Sequence, residues 1–138
     1  PPTAYRPSKA DHRVPGDPAH EVIEIPMSML KVKANYDAEP FLRYLDLSYR
    51  TEAVAGGMDK LVGDAPYLVS VTHPSALMPD FEPKGGHGLL YFDLANMTRT
   101  LRLLAETVDA KGRTLRFTTL GALGDRISEE LGRDANAA

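Results

Sequence analysis

The stretch from residue 94 to residue 108 constrains the fold most, because its apolar residues recur at the spacing of one helix face. The residues that share this face are Leu94, Met97, Leu101, Leu104, Ala105 and Val108. Asp93 stands at the N-cap position, and Gly112 stands where a glycine often follows a helix C-terminus. The pattern predicts an amphipathic helix whose apolar face packs against a core.

Three short runs of apolar and β-branched residues predict strands between the helical patterns. Tyr67–Val71 is the clearest, and Val22–Ile25 and residues 115–118 are weaker. Strands that alternate with helices favour an α/β fold with parallel strands and crossover helices. Because three strands are few for a closed sheet and leave long edges unpaired, the pattern favours part of a barrel over a complete fold.

Further helices are predicted from capping residues and apolar stripes. Asp37 is the N-cap of the first, whose stripe is Phe41, Leu42, Leu45 and Tyr49. The second covers residues 51–62, and Gly56-Gly57 is expected to weaken or break it, since each glycine costs about 1 kcal/mol relative to alanine. Thr119 is the N-cap of the last, whose stripe is Leu120, Leu123, Ile127 and Leu131.

The length of 138 residues suits one domain, which we expect to be a single partial domain. Its first 20 residues hold five of the eleven prolines and predict an irregular, extended lead-in. Residues 21–131 form the predicted body of strands and helices, and residues 132–138 a frayed tail. Because the chain begins Pro1-Pro2 without a methionine, we expect it to be a piece of a longer protein.

Composition narrows the classes of function. The net charge is −3 and the basic residues are scattered, so no nucleic-acid partner is expected. There is no cysteine, which excludes disulfides, thiolate metal ligands and cysteine nucleophiles. No apolar run approaches the roughly 20 residues of a membrane-spanning helix, so no membrane span is expected.

Three motifs, in order along the chain, carry a family resemblance. The first is Tyr5–Ser8 followed by Glu24–Ser28, which is similar to an irregular segment that leads into a strand reading EIPxS. The second, Val71–Pro79, is similar to a strand that ends in a histidine, in a form like HSSELMP. The third, Arg116–Leu123, is similar to the closing sequence RFVTLxEL. Together they resemble the C-terminal half of the polysaccharide deacetylase family of carbohydrate esterases.

The resemblance implies a distorted (β/α) barrel and a metal-dependent hydrolase that removes an acetyl group from an N-acylated sugar or polysaccharide. By this resemblance His73 is the general acid, and Val71, two residues earlier, lines the acyl pocket. The loop that follows would contact the carbohydrate substrate through Pro74, Ser75 and His87. His73 also follows the clearest predicted strand, and barrel enzymes place catalytic groups at the C-terminal ends of strands. A histidine suits an acid role because an ordinary imidazole has a pKa of about 6.5, close to neutral pH.

The family's metal ligands, an aspartate beside the catalytic base and two histidines four residues apart, have no counterpart here. The chain has no Asp-Asp pair, and none of its histidines stands four positions from another; they are His12, His20, His73 and His87. No metal ligand is therefore assigned within the chain. The resemblance implies a divalent metal, zinc, bound mainly by residues outside this chain. The missing N-terminal half, or another polypeptide that completes the barrel, would be the partner that supplies them.

Two other functions stay open at this point. A non-catalytic module could keep the barrel strands and bind a glycan or a protein, which the missing metal ligands favour. A hydrolase of the same fold could instead act on a non-sugar amide.

Overall fold

The computed structural model describes residues 3–16, 19–34, 36–72 and 94–135. These residues contain two strands and three helices: β1 (Met29–Val32), β2 (Phe41–Tyr44), α1 (Thr51–Asp64), α2 (Leu94–Ala110) and α3 (Leu120–Ala135). The chain divides into two compact units. The hairpin unit is continuous, from Met27 to Leu115, and the terminal unit combines Pro1–Pro26 with Arg116–Ala138.

The hairpin unit is built on an antiparallel pair of strands. β1 and β2 pair with Met29 opposite Tyr44 and Val32 opposite Phe41. Along β1 the side chains alternate between exposed and buried, as expected for a hairpin with one face on a core. Helix α1 packs against β1, and helix α2 packs against α1. The buried residues that the two helices contribute to the core are Val54, Met58, Leu61, Val62, Leu104 and Val108.

Helix α1 runs without interruption through Gly56 and Gly57. The prediction that these glycines could break the helix is therefore wrong. A Cβ atom added at Gly57 would lie 3.5 Å from the Cβ atom of Leu30, so this glycine is where α1 approaches β1 closely. A Cβ atom at Gly56 would meet no atom within 4 Å. Burial of the apolar face of α1 outweighs the unfavourable helix propensity of the pair.

The N-terminus of α1 is capped by a residue of α2. The N-cap residue, Arg50, makes no capping hydrogen bond with its side chain. Instead the Oδ1 atom of Asn96 accepts the N–H of Thr51 at 3.2 Å, and its Nδ2 atom donates to the carbonyl of Tyr49 at 2.8 Å. The Oγ1 atoms of Thr51 and Thr100 are 2.9 Å apart. Asn96 and Thr100 are both buried, so this polar group lies inside the unit and its hydrogen bonds satisfy it.

The C-terminus of α1 is held by the residue that follows the end of α2. Arg113 donates from Nη1 to the carbonyl of Val62 at 2.5 Å and from Nη2 to the carbonyl of Ala65 at 3.0 Å. These are carbonyls that the last turn of a helix leaves without a partner. Because the start of α2 meets the start of α1 and the end of α2 meets its end, the two helices run in the same direction.

Helix α2 ends in a Schellman motif. Gly112 has a φ of +65°, in the left-handed region. Its N–H donates to Asp109 at 2.8 Å, and the N–H of Arg113 donates to Val108 at 3.1 Å. This is the hydrogen-bond pattern of a left-handed glycine after a helix, so the predicted helix and its terminal glycine are confirmed. The predicted N-cap, Asp93, lies outside the described residues.

The terminal unit pairs the N-terminal loop with α3. Thr119 caps α3 as predicted, because its Oγ1 accepts the N–H of Ala122 at 3.2 Å. Isolated antiparallel bridges, of which one joins Tyr5 to Glu24, close the N-terminal loop. Arg6 donates to the carbonyl of Glu21 and, at 3.1 Å, to the hydroxyl of Ser128 on α3. α3 continues as far as Ala135, beyond the residue where the sequence predicts a frayed tail.

The predicted barrel of parallel strands and crossover helices is wrong, because the sheet among the described residues has two antiparallel strands. Val22–Ile25 makes only the isolated bridge at Glu24, and no strand forms at residues 115–118. Tyr67–Val71 is not part of a strand ladder, because its backbone hydrogen bonds go to two different segments. Runs of four or five apolar residues are too short to show from their sequence which partner they pair with.

The helix predicted after Asp37 is also wrong, because Phe41–Tyr44 forms β2. The Asp37 carboxylate accepts the N–H of Ala34 at 2.7 Å and two contacts from Nη2 of Arg43, at 2.8 and 2.9 Å. These bonds close the connection between β1 and β2 and turn the chain back along β1. Asp37 is therefore the centre of a hairpin loop, a role that the same residue type favours as strongly as helix capping.

Among the described residues, no helix combines the length and the apolar character that crossing a membrane requires.

Replacing Asn96 by alanine tests the cap that α2 provides to α1. We expect the free energy of unfolding, measured by urea denaturation, to fall by about 1–3 kcal/mol, because the N–H of Thr51 and the carbonyl of Tyr49 lose a buried partner. Thr98→Ala is the control, since among the described residues its exposed hydroxyl bonds to the carbonyl of Leu94 within α2. It should change stability by less than about 0.5 kcal/mol. Equal effects of the two substitutions would contradict the cap.

Two glycine-to-alanine substitutions should change stability in opposite directions. Gly56→Ala should raise the free energy of unfolding by about 0.5–1 kcal/mol, because it lies in a helix and its new methyl group meets nothing. Gly112→Ala should lower it by about 1–2 kcal/mol, because alanine is strained at a positive φ. Thermal or urea unfolding of both variants checks the pair. The same sign for both would contradict the backbone assignment.

Candidate functional site

Only one of the residues proposed for the site from sequence lies in the described part of the chain. Val71 is described and partly buried. His73, Pro74, Ser75 and His87 lie outside the described residues. The geometry of the candidate site is therefore that of the extended segment 67–72, which ends one residue before His73.

Ser28 holds the middle of this segment by two hydrogen bonds. Its N–H donates to the carbonyl of Val69 at 3.0 Å, and its Oγ accepts the N–H of Val69 at 2.9 Å. The carbonyl of Ser28 accepts the N–H of Leu45 at 2.7 Å, which continues the β1–β2 pairing by one residue pair. The hairpin opens at this pair. The N–H of Ser28, which the carbonyl of Leu45 would accept in a continued ladder, bonds to Val69 of the segment instead.

The end of the segment is held by the residues that follow β2. Val71 donates its N–H to the carbonyl of Leu45 at 2.9 Å. The Oγ1 atom of Thr72 accepts the N–H of Leu47 at 3.2 Å. Four hydrogen bonds therefore fix residues 69–72 against the open end of the hairpin, and the chain reaches His73 from a fixed backbone.

A buried carboxylate lies in the same turn, between Leu45 and Leu47. Asp46 is 1% exposed, and its Oδ1 accepts the N–H of Ser48 at 2.8 Å and the hydroxyl of Ser48 at 2.7 Å. Such a side-chain bond to the backbone two residues later is an Asx turn, stabilised here by the charge of the acceptor. The turn is therefore rigid where Leu47 meets Thr72.

Sequence reasoning did not single out Asp46 or Ser48. It placed Ser28 and Thr72 in the motifs of the family resemblance but assigned neither hydroxyl a role. The spacing Asp-x-Ser at residues 46–48 carries the signal of an Asx turn, and it was available before the structure. Ser28 and Thr72 carry no such signal, because hydroxyl residues are compatible with many local structures.

Tyr49 closes the turn from inside the core. Its side chain is buried, and its ring centroid lies 6.4 Å from that of Tyr44 in a stacked arrangement. Burial, followed by the neighbouring Tyr44 and Asp46, raises the pKa of Tyr49 to about 12. The neutral phenol is therefore the form that the folded unit favours.

The resemblance places the metal ligands outside this chain. No three histidine, aspartate or glutamate side chains converge among them in a way that could hold an ion. No chemical step through a metal is derived from this part of the chain.

Comparison with known proteins found no family model, curated protein or solved structure that matches this chain.

The stability of the hairpin unit should depend on pH in the alkaline range through Tyr49. The pKa of this residue is about 12 in the folded state and 10.0 in its ordinary environment. A pKa raised by folding contributes stability that is complete below pH 10 and is lost as pH rises toward 12. Urea denaturation at several pH values should show this loss, and Tyr49→Phe should reduce it.

The other titrating groups are shared by the wild type and Tyr49→Phe, so the difference between their pH profiles isolates Tyr49. Identical slopes of stability against pH above pH 10 would contradict the assignment.

Proposed function

We propose that this chain is part of a metal-dependent hydrolase that removes an acyl group, acetyl in the simplest case, from an N-acylated sugar or polysaccharide. His73 is the general acid in this proposal. The observation that carries it is the fixed segment 69–72, which ends directly before the histidine of the family-like motif. A general acid must be held at a defined distance from the leaving atom, and a bonded backbone directly before it supports such a role.

The proposed reaction cleaves the amide bond between the acyl carbon and the sugar nitrogen. Water adds to the acyl carbonyl, and the carbon–nitrogen bond of the tetrahedral intermediate then breaks. The departing nitrogen needs a proton, which His73 would donate, so that the products are a carboxylic acid and a free amino sugar. A histidine can hold and release this proton near neutral pH.

Val71 supports the acyl part of the proposal. Its side chain is partly buried, and its backbone N–H is bonded to Leu45, so an apolar group stands at a fixed position two residues before His73. An apolar residue of this size suits the methyl group of an acetyl substituent. The loop residues Pro74, Ser75 and His87 are proposed as contacts to the carbohydrate.

The proposal also requires a partner. It uses a divalent metal, zinc, bound mainly by residues outside this chain, either in a preceding part of the protein or in another polypeptide.

Replacing His73 tests the acid. In the protein that carries this chain together with the metal-binding part, acetate release from N-acetylated chitooligosaccharides should fall by about 10²-fold or more in kcat for His73→Ala. KM should change little, because the proton is needed only as the bond breaks. His12→Ala is the matched control, since His12 is exposed and belongs to the terminal unit; its activity should equal the wild type.

Turnover of His73→Ala within twofold of the wild type would overturn the assignment. A chelator should abolish the activity, and added zinc should restore it. Glycan binding that survives the chelator, with no acetate released, would favour the non-catalytic binding module. Release of acid from simple amides but not from sugars would favour the non-sugar hydrolase.

A further inference from the structure

We infer that Ser28 and Thr72 are positioning residues that set the place of Val71 within segment 69–72, the segment that precedes His73 in the sequence. The two hydroxyls, called the hydroxyl clamp below, hold the two ends of segment 69–72. The inference rests on the proposed function for its consequence in catalysis, but the clamp itself is a statement about hydrogen bonds.

The first half of the clamp is Ser28. Its hydroxyl accepts the N–H of Val69 at 2.9 Å while its own N–H donates to the carbonyl of the same residue at 3.0 Å. Both backbone groups of Val69 are thus bonded to one residue. The position of Val69 along the hairpin is fixed by this pair, since a shift of one residue would break both bonds.

The second half is Thr72. Its hydroxyl accepts the N–H of Leu47 at 3.2 Å, in the turn that the buried Asp46 stabilises. Between the two hydroxyls, Val71 donates its N–H to Leu45 at 2.9 Å. Hydrogen bonds therefore hold Val69, Val71 and Thr72, and Thr72 directly precedes His73 in the sequence.

The clamp is separable from the stability of the unit. The pairing of β1 with β2 and the core residues Leu30 and Val32 involve neither hydroxyl. Hydroxyl side chains act at this point because the hairpin opens and its strands no longer offer a complete backbone ladder to the segment. Removing a hydroxyl should therefore loosen residues 69–72 while the hairpin keeps its register.

The consequence for the reaction is geometric. Catalysis by a positioned acid is sensitive to displacements of about 1 Å, which can cost on the order of 10²-fold in rate. Loosening the clamp should lower kcat and leave KM nearly unchanged, because substrate binding through the loop residues does not require the acid to be aligned.

Amide hydrogen exchange of the full chain, followed by NMR, tests the clamp without any assay of activity. In Ser28→Ala the N–H of Val69 should exchange about tenfold faster than in the wild type, since it loses its acceptor. Ser28→Thr keeps a hydroxyl and should restore slow exchange. Thr72→Val should speed exchange at Leu47, and Thr72→Ser should restore it.

Thr107→Val is the matched control. It also removes a partly buried hydroxyl of the hairpin unit, one that bonds only to the carbonyl of Leu103 within α2. Exchange at Val69 and Leu47 should be unchanged in this variant. Unchanged exchange at Val69 in Ser28→Ala would overturn the clamp, whatever the activity.

The catalytic role is then tested in the protein with its metal-binding part. A fall of about tenfold or more in kcat for Ser28→Ala, at constant KM and with rescue by Ser28→Thr, would support positioning. Wild-type kcat in Ser28→Ala despite faster exchange at Val69 would overturn the positioning role alone. A wild-type protein that releases no acetate would overturn the proposed function, and the exchange data would still decide the clamp.

Discussion

Helix α1 depends on α2 at both of its ends, and the hairpin unit is organised around this dependence. An isolated helix leaves four N–H groups and four carbonyls unpaired, and α1 supplies no side-chain cap at its own start. Asn96 bonds the first turn and Arg113 bonds the last carbonyls. Because both groups belong to α2 or follow it directly, the two ends of α1 are bonded by one neighbouring element, while β1 packs against its length.

That arrangement extends to the candidate site through the backbone that enters α1. The carbonyl of Tyr49 is bonded to Asn96, and the turn at Asp46 precedes it by three residues. In this turn the N–H of Leu47 donates to the hydroxyl of Thr72. Residues 46–49 therefore connect the segment before His73 to the buried Asn96 side chain that caps α1.

The elements that could be predicted from sequence are those whose signals are local. The helical spacing of α2 with its glycine at residue 112, and Thr119 at the start of α3, are set by interactions within one or two turns. The predicted stripe was only partly the buried face of α2, which includes Asn96 and Thr100 and leaves Leu94 exposed. β2 could not be predicted because its four residues also fit a helical stripe, and Asp37 suits a cap and a loop equally. The strand predicted at Tyr67–Val71 did not form, because the bonds of this run go to the ends of a hairpin that the sequence did not indicate. For the site, the bonds that matter join residues 41 and 25 positions apart, a distance at which a hydroxyl residue gives no signal of its partner.

The order in which the two units can form during synthesis follows from how the chain is divided between them. The hairpin unit is one continuous stretch, so all of its residues are synthesised before those of α3. The terminal unit needs both of its segments, and its bond between Arg6 and Ser128 joins positions 122 residues apart. The proline-rich N-terminal loop must therefore wait, without its helix, while the intervening unit folds, because domains fold as units during translation once their residues are available.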